Sequence, residues 1–437
     1  MTMVSAAAGV FSRLEPTAGG HPDWLTQARS AALGWVAEHG FPTLKDEDWR
    51  YTGLGPILEV PFEAAAVRAG RQATVRTLDA QAIDLGGPRL VFVNGHFDVA
   101  LSRLTGLPDG ATVTNLAPML AAGPESFGPQ CALTRGDYEH AFTAFNSALT
   151  EDGAFIHLAA GTTVAEPIQF VFFADTGGSA LVSSPRSVVL AGPGSRATIV
   201  ETYAGIPGEV YCTNTVTEVV LEDGAHLEHY KVQDEPESAF HVALLTVRQS
   251  RDSHFSSQSI ALGSAIDRHE IRAVLVEDGA QVNLEGLSMP QGSQHHDNTI
   301  LVDHAAPGCT SHQLYKGVLD GHSRGVFNGR IMVRPGADGT DANQKNKNLL
   351  LSDRAEVDTR PRLEIYADEV KCTHGAAVGQ LDEEAIFYLR TRGISHQSAR
   401  SLLIYAFAQE MVERIRLEPL RAHVEKLVTN RLSAGHS

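Results

Sequence analysis

Residues 194–201 read GSRATIVE, and the phrase returns in altered form along the chain. It reappears as GAHLEHYK from Gly224, DSHFSSQS from Asp252, GAQVNLEG from Gly279, HSRGVFNG from His322 and RAEVDTRP from Arg354. Each copy follows a mostly apolar strand that ends in a turn, and each continues with alternating residues. The interval is roughly 27–32 residues except at one step, where an insertion is expected. This is the pattern of a solenoid: one coil cannot bury its inner face alone, so stacked neighbours build a continuous core. An antiparallel sandwich also gives regular short strands, but at a spacing of about 8–12 residues with hairpin turns. The longer period favours a β-helix.

The strand pattern extends outward from these copies over residues 88–380. RLVFVNG, IQFVFFA, SVVLAG, TEVVLEDG, AVLVEDG and GVLDG are short Val-, Ile- and Leu-rich runs closed by turns. Residues 1–87 read as an N-terminal helical domain. Asp23 is placed to cap a helix carrying Trp24, Leu25, Ala28, Ala32, Trp35 and Val36, which Gly40 and Pro42 stop. FPTLKDEDWRYT, residues 41–52, reads as an ordered loop or short helix, and helical or mixed character is expected to about residue 85. Residues 381–437 read as a C-terminal helical domain. Asp382 caps a first helix bearing Ala385, Ile386 and Leu389, and Gly393 ends it. Ser395 starts a second with a stripe of Ala399, Leu402, Leu403, Ala406, Phe407 and Met411, and Pro419 interrupts before a last helix to about 431. Such a helical end is expected to cap the open edge of the solenoid, which is otherwise an aggregation hazard.

The 437 residues carry a formal net charge of −17. An acidic surface repels phosphate backbones, so bulk charge argues against nucleic-acid binding. Four cysteines, Cys131, Cys212, Cys309 and Cys372, lie far apart with no CxxC, which predicts reduced thiols rather than a disulfide scaffold or zinc ribbon. MTMVSAAAGVFSRLE is a poor signal peptide, and no window reaches the roughly 18–20 apolar residues of a spanning helix, so a cytoplasmic, non-membrane protein is expected.

Histidine is enriched late in the strand region, at His295, His296, His304, His312, His322 and His374, with Asp297 and Asp303 among them. Imidazole and carboxylate suit zinc, iron or manganese, but the spacing matches no standard site. Cys372-Thr373-His374-Gly375 places a thiol and an imidazole two residues apart, hence on one face of a strand. Residues 334–353, RPGADGTDANQKNKNLLLSD, are dense in Asn, Gln, Asp and Gly; they read as side-chain amide ladders along a solenoid or as a surface loop. There is no Walker A loop, no GxSxG and no Rossmann fingerprint, so any ATP chemistry must come from a partner.

FNGRIMV, DANQKNKNLLLSD, the loosely matched RAEVDTRP and LEIYADEVKCTHGAAVGQLDEEAIFYLRTRGI, together with FPTLKDEDWRYT and HAFTAFNSAL at 140–149, resemble the SufB/SufD family of iron–sulfur cluster assembly scaffolds, on its SufD side. The SufB branch carries an essential cysteine just before its apolar LLIGD-like turn, where NKNLLLSD here has Asn346 and its neighbours, and a His-Glu phrase where Cys-Thr-His-Gly stands here. The resemblance implies a right-handed parallel β-helix between helical ends, in a non-catalytic subunit. It implies a heterodimer with a SufB-like paralogue through the β-helix, and a SufC-like ABC ATPase docked on helices around 382–431. Whether the isolated chain forms a homodimer is left open. It also implies that His374, with Cys372 as near neighbour, contributes to a transient iron–sulfur cluster shared with a SufB cysteine, and that this chain binds no nucleotide itself.

Two further readings compete. A metal-dependent enzyme would use the 295–322 histidines and hold stoichiometric zinc or iron. A polysaccharide-active β-helix would need acids clustered along one solenoid face, and usually a secretion signal.

Overall fold

The computed structural model describes residues 21–65, 78, 83–128 and 131–434. The N-terminal stretch, and the helical character expected towards residue 85, fall largely outside them. From residue 154 the chain winds into a β-helix of two sheets, each coil giving one strand to each. The first sheet runs from Ala154–Leu158 through Arg186–Ala191, Tyr211–Leu221, Phe240–Gln249, Ile266–Leu275, His295–His304 and Arg324–Val333 to Glu356–Ile365. The second runs from Arg89–Val93 through Ile168–Ala174, Arg196–Gly205, His226–Gln233, His254–Ala261, Gln281–Ser288, Thr310–Leu319 and Asp341–Leu350 to Lys371–Gln380. Neighbours along both paths are parallel. At the N-terminal end the antiparallel strands Ala111–Asn115 and His96–Phe97 complete the two sheets.

The turn into the second sheet explains the repeat. Gly194, Gly224, Asp252, Gly279, Gly308 and Gly339 occupy it on successive coils, with φ of 64, 65, 52, 74, 66 and 73°. This left-handed conformation suits glycine and tolerates aspartate. No insertion breaks the series after Gly279. The phrases from His322 and Arg354 belong to the opposite turn, which feeds the first sheet, so the expected insertion is a jump from one turn column to the other. The true next copies begin at Gly308 and Gly339.

Side chains pointing between the sheets form one apolar core from Leu90 and Phe92 through Ile156, Phe170, Val219, Leu245, Ile271 and Val302 to Phe327. The outer faces are covered differently. On the first sheet, Phe41, Trp49, Ile57, Phe142 and Phe145 pack over Cys212, Phe240, Val242 and Ile266. Helix Ala141–Leu149, the HAFTAFNSAL stretch, is thus a lid on the sheet. Helix Asp23–His39 beside it starts after Pro22 with no side-chain cap; Asp23 is its first residue rather than its cap, and Gly40 ends it as expected.

On the second sheet, Ile404, Ala408, Met411, Val412, Ile415, Leu420, Val424 and Val428 pack over Val200, Tyr230, Val232, Ile260, Leu287 and Val318. The helices His396–Val412 and Glu418–Ala434 are therefore anchored along the side of the solenoid, with helix Glu383–Thr391 packed against the first of them, and the final strand stays exposed. This corrects the expected end cap: an extended apolar sheet face offers more area to bury than a coil edge. Asp382 and Ser395 do cap their helices. The buried stripe of the second helix is rotated from the expected one, leaving Leu402 exposed, because the run SLLIYAFA is apolar on more than one side. Pro419 sits in the first turn of the last helix, where proline starts rather than interrupts.

The N-terminal segment is locked to the first sheet by Arg268, which is 1% exposed. Its guanidinium stacks 3.8 Å from the Trp49 ring centre and pairs with Asp297, which also accepts from Thr52. Arg268→Ala leaves Asp297 buried without its cation and should lower unfolding free energy by about 3–5 kcal/mol in urea titration.

Candidate functional site at the open end of the solenoid

The strand Lys371–Gln380 is the last of the second sheet, and Glu356–Ile365 is the last of the first. Each has a partner strand on one side only. The terminal coil is braced by the FPTLKDEDWRYT segment: Glu47 accepts from Arg360 and Arg362 at 2.7 and 2.9 Å, and Asp48 accepts from Arg362 and Asn328 at 3.3 Å each.

Strand alternation puts Cys372 and His374 on the same, lumen-directed face. Cys372 packs against Ile331, Val333, Ala337 and Ala342. With no further coil above it, His374 is exposed. Burial, then the Asp341 carboxylate, pushes the Cys372 thiol up, so its resting form is the thiol. Below His374 the lumen is lined by amides. Gln344 donates to Gln313 at 2.9 Å, Asn348 to Asn346 at 2.6 Å and Asn346 to the Tyr315 carbonyl at 3.2 Å. Residues 341–350 thus form the ladder strand anticipated from their composition, not a loop.

The 295–322 histidines do not converge. His295 faces outward and hydrogen-bonds Thr52 at 2.9 Å. His296 faces inward, between Ser288 at 2.8 Å and the Gly263 carbonyl at 2.8 Å. His304 bonds Ser311 at 2.9 Å, His322 pairs with Arg354 at 2.8 Å, and His312 is exposed. Asp303 is bound to Arg334. Among the described residues no three His, Cys, Asp or Glu side chains come together as a metal set. The four cysteines are unpaired.

One feature was not legible in the sequence. Midway along the lumen lie Glu201, His229, Lys231, Glu235, His241, Asp267 and His269, all buried. Tyr203 and Thr217 donate to Glu201 at 2.9 Å each, and His241 lies 2.8 Å from Glu235. Burial works to raise the Glu201 and Glu235 carboxyls, but His229 and Lys231 around Glu201, and His241 beside Glu235, hold both below their usual range. Asp267 is raised by burial despite Lys231. His269 is driven well below the usual value by burial and then by Lys231. The only signal available was opposite charges at matched positions of successive repeats, such as Glu201 beside Lys231.

His296 and His304 are pushed down to about 3 and about 4, chiefly by burial. The unfolded chain takes up protons near pH 6.5 that the folded chain refuses, so the stability they contribute is present above that pH and is lost as pH falls towards 4 and 3. By pH 5 each should cost about 2 kcal/mol. His304→Gln should shrink the drop in unfolding free energy between pH 7 and 5 by that amount in urea titrations.

Two family models match the chain: the SUF system FeS cluster assembly SufBD core domain over residues 172–407, and the SufBD protein N-terminal region over residues 17–170. The chain is 32% identical to the iron–sulfur cluster assembly protein SufD of Escherichia coli over 398 residues, covering 91% of this chain and 90% of that one. It is 30% identical to an iron–sulfur cluster assembly SufBD family protein of Synechocystis over 417 residues, covering 93% and 91%. The SufD of Bacillus subtilis is 26% identical over 67% of both chains. Among the described residues no helix is long and apolar enough to cross a membrane.

Proposed function

The chain belongs to the SufBD family of iron–sulfur cluster assembly proteins, and on that premise we propose that it is a non-catalytic cytoplasmic scaffold subunit whose open solenoid end, paired with a SufB-like chain, presents His374 to a nascent cluster. The observation that carries this reading is the uncovered last coil. Its two edge strands lack partners on the same side, and an imidazole stands between them on the lumen face. A second solenoid that adds strands to both edges satisfies those backbone groups and brings its own side chains up to His374. The cluster is cargo, held across the interface: His374 gives a neutral nitrogen, and the thiolates come mainly from the partner. Cys372 joins only if the bound iron displaces its proton, since its surroundings favour the thiol.

A SufC-like ATPase docks on the C-terminal helices, which expose Phe387 at 67% and Tyr388 at 58%. No phosphate loop occurs in this chain, so ATP is bound by that partner. The helices grip the strand Thr310–Leu319 through Lys316, which donates to the Phe407 carbonyl at 2.8 Å and pairs with Glu410 at 2.5 Å. A push on the helices therefore reaches the wall of the solenoid two coils from its open end.

His374→Ala removes an exposed side chain and should leave the chain folded. Co-expressed with SufB-like and SufC-like partners, it should assemble normally by size-exclusion chromatography while cluster iron and sulfide fall at least about tenfold. Cys372→Ser should retain most of the cluster. Wild-type iron and sulfide in the His374 variant would remove that residue from the mechanism. Phe387→Asp with Tyr388→Asp should leave the SufB-like chain bound but release the ATPase on the same column, and co-elution of all three chains would refute the docking site.

A further inference from the structure

We propose that Gln344 is a positioning residue for His374: its side-chain oxygen accepts a hydrogen bond from one His374 ring N–H and so directs the other ring nitrogen out of the open end. This rests on the reading of His374 above. The two residues are register partners on adjacent parallel strands, Gln344 one coil below His374. Gln344 is 0% exposed. Its Nε2 is committed to Gln313 Oε1 at 2.9 Å, one coil further down. Its Oε1 is buried and has no partner. In a planar amide the oxygen and nitrogen point to opposite sides, so an Nε2 turned down the column turns Oε1 up towards the His374 coil.

The amide is held in this pose. Gly329 of the facing sheet leaves just enough room: a Cβ there would lie 2.2 Å from Gln344 Nε2 and 2.7 Å from its Cδ. The Phe327 ring would lie 2.9 Å from the same point and closes the side of the slot. Gln344 thus offers a buried amide oxygen with one vacancy on the register column of His374, whose ring makes no hydrogen bond to it in this structure. A buried acceptor without a donor is costly, and His374 is the donor the register supplies. An exposed imidazole otherwise samples both tautomers and several rotamers. Histidines that bind metal commonly give their second N–H to a carbonyl or carboxylate, which fixes tautomer and ring orientation.

The test is two-bond proton–nitrogen correlation NMR on the full chain labelled in histidine nitrogen, with the His374 signals assigned by their loss in His374→Gln. At about pH 8.5, above the ordinary imidazole range, wild-type His374 should show one fixed tautomer. Gln344→Met keeps the shape and removes the acceptor, and should give tautomer-averaged signals. Gln344→Glu restores an acceptor and should restore the fixed tautomer. Averaged signals in the wild type, or a fixed tautomer that survives Gln344→Met, overturn the proposal; the wild-type spectrum decides even if the methionine variant does not fold. In the co-expressed complex, Gln344→Met should lose iron to a chelator about tenfold faster than wild type. If His374→Ala keeps its cluster, the functional reading fails while the spectra still decide the hydrogen bond. If His374→Ala loses it and wild-type His374 is averaged, the functional reading stands and this one falls.

Discussion

Each coil of this protein is held by the coil before and the coil after it, through backbone hydrogen bonds in strict parallel register. Every other feature depends on that pairing. Register converts sequence positions about 30 residues apart into columns of touching side chains, so Gln313, Gln344 and His374 become neighbours although no motif links them. It also means that pairing must fail somewhere. At the N-terminal end the parallel series gives way to the short antiparallel strands Ala111–Asn115 and His96–Phe97, while the helices between residues 117 and 149 cover the outer face of the first sheet. The helices that follow the last coil run along the flank instead of over the end. At the C-terminal end the unmet pairing falls on two long parallel strands, Glu356–Ile365 and Lys371–Gln380, and the candidate ligand sits on the second of them.

That geometry separates what could be read in the sequence from what could not. The β-helix was legible because one turn demands a left-handed residue on every coil, and Gly194, Gly224, Asp252 and Gly279 supply it at a steady interval. The reading slipped at His322 because both turns of a coil look alike without the strands between them. His374 was singled out by its surrounding motif, and alternation put Cys372 and His374 on one face; that this face is the inward one came only with the register against Ala342 and Gln344. The exposure of His374 was not, since it depends on where the C-terminal helices go. Their destination rests on which of several apolar stripes in SLLIYAFA meets the sheet, and propensity does not choose between them. The state of Cys372 was hidden for the same reason: it needs the Ala342 side and Asp341 from the preceding coil.

The lumen shows a second use of register. Lys231 stands among Glu201, Glu235 and Asp267, all buried. Buried charges are weak evidence for stability, because desolvation offsets most of their attraction. Their effect on pairing is stronger. A slip of one residue in the strand His226–Gln233 would turn Lys231 to the outer face, under the apolar helices, and bring Tyr230 and Val232 inward against carboxylates. The cluster penalises every register but one, in the middle coils where no end effects help to set it.

Charge of this kind would be a handicap near the open end. A carboxylate or ammonium directly beneath His374 would titrate, attract or repel whatever the imidazole holds, and so tie the site to pH and salt. The last inward-facing positions are instead amides: Gln313, Gln344, Asn346 and Asn348. They carry no net charge, do not titrate, and still give directed donors and acceptors. The lumen thus changes from ionic in the middle to neutral at the mouth. The middle fixes which residues stack, and the mouth sets the exposed His374 above uncharged hydrogen-bonding groups.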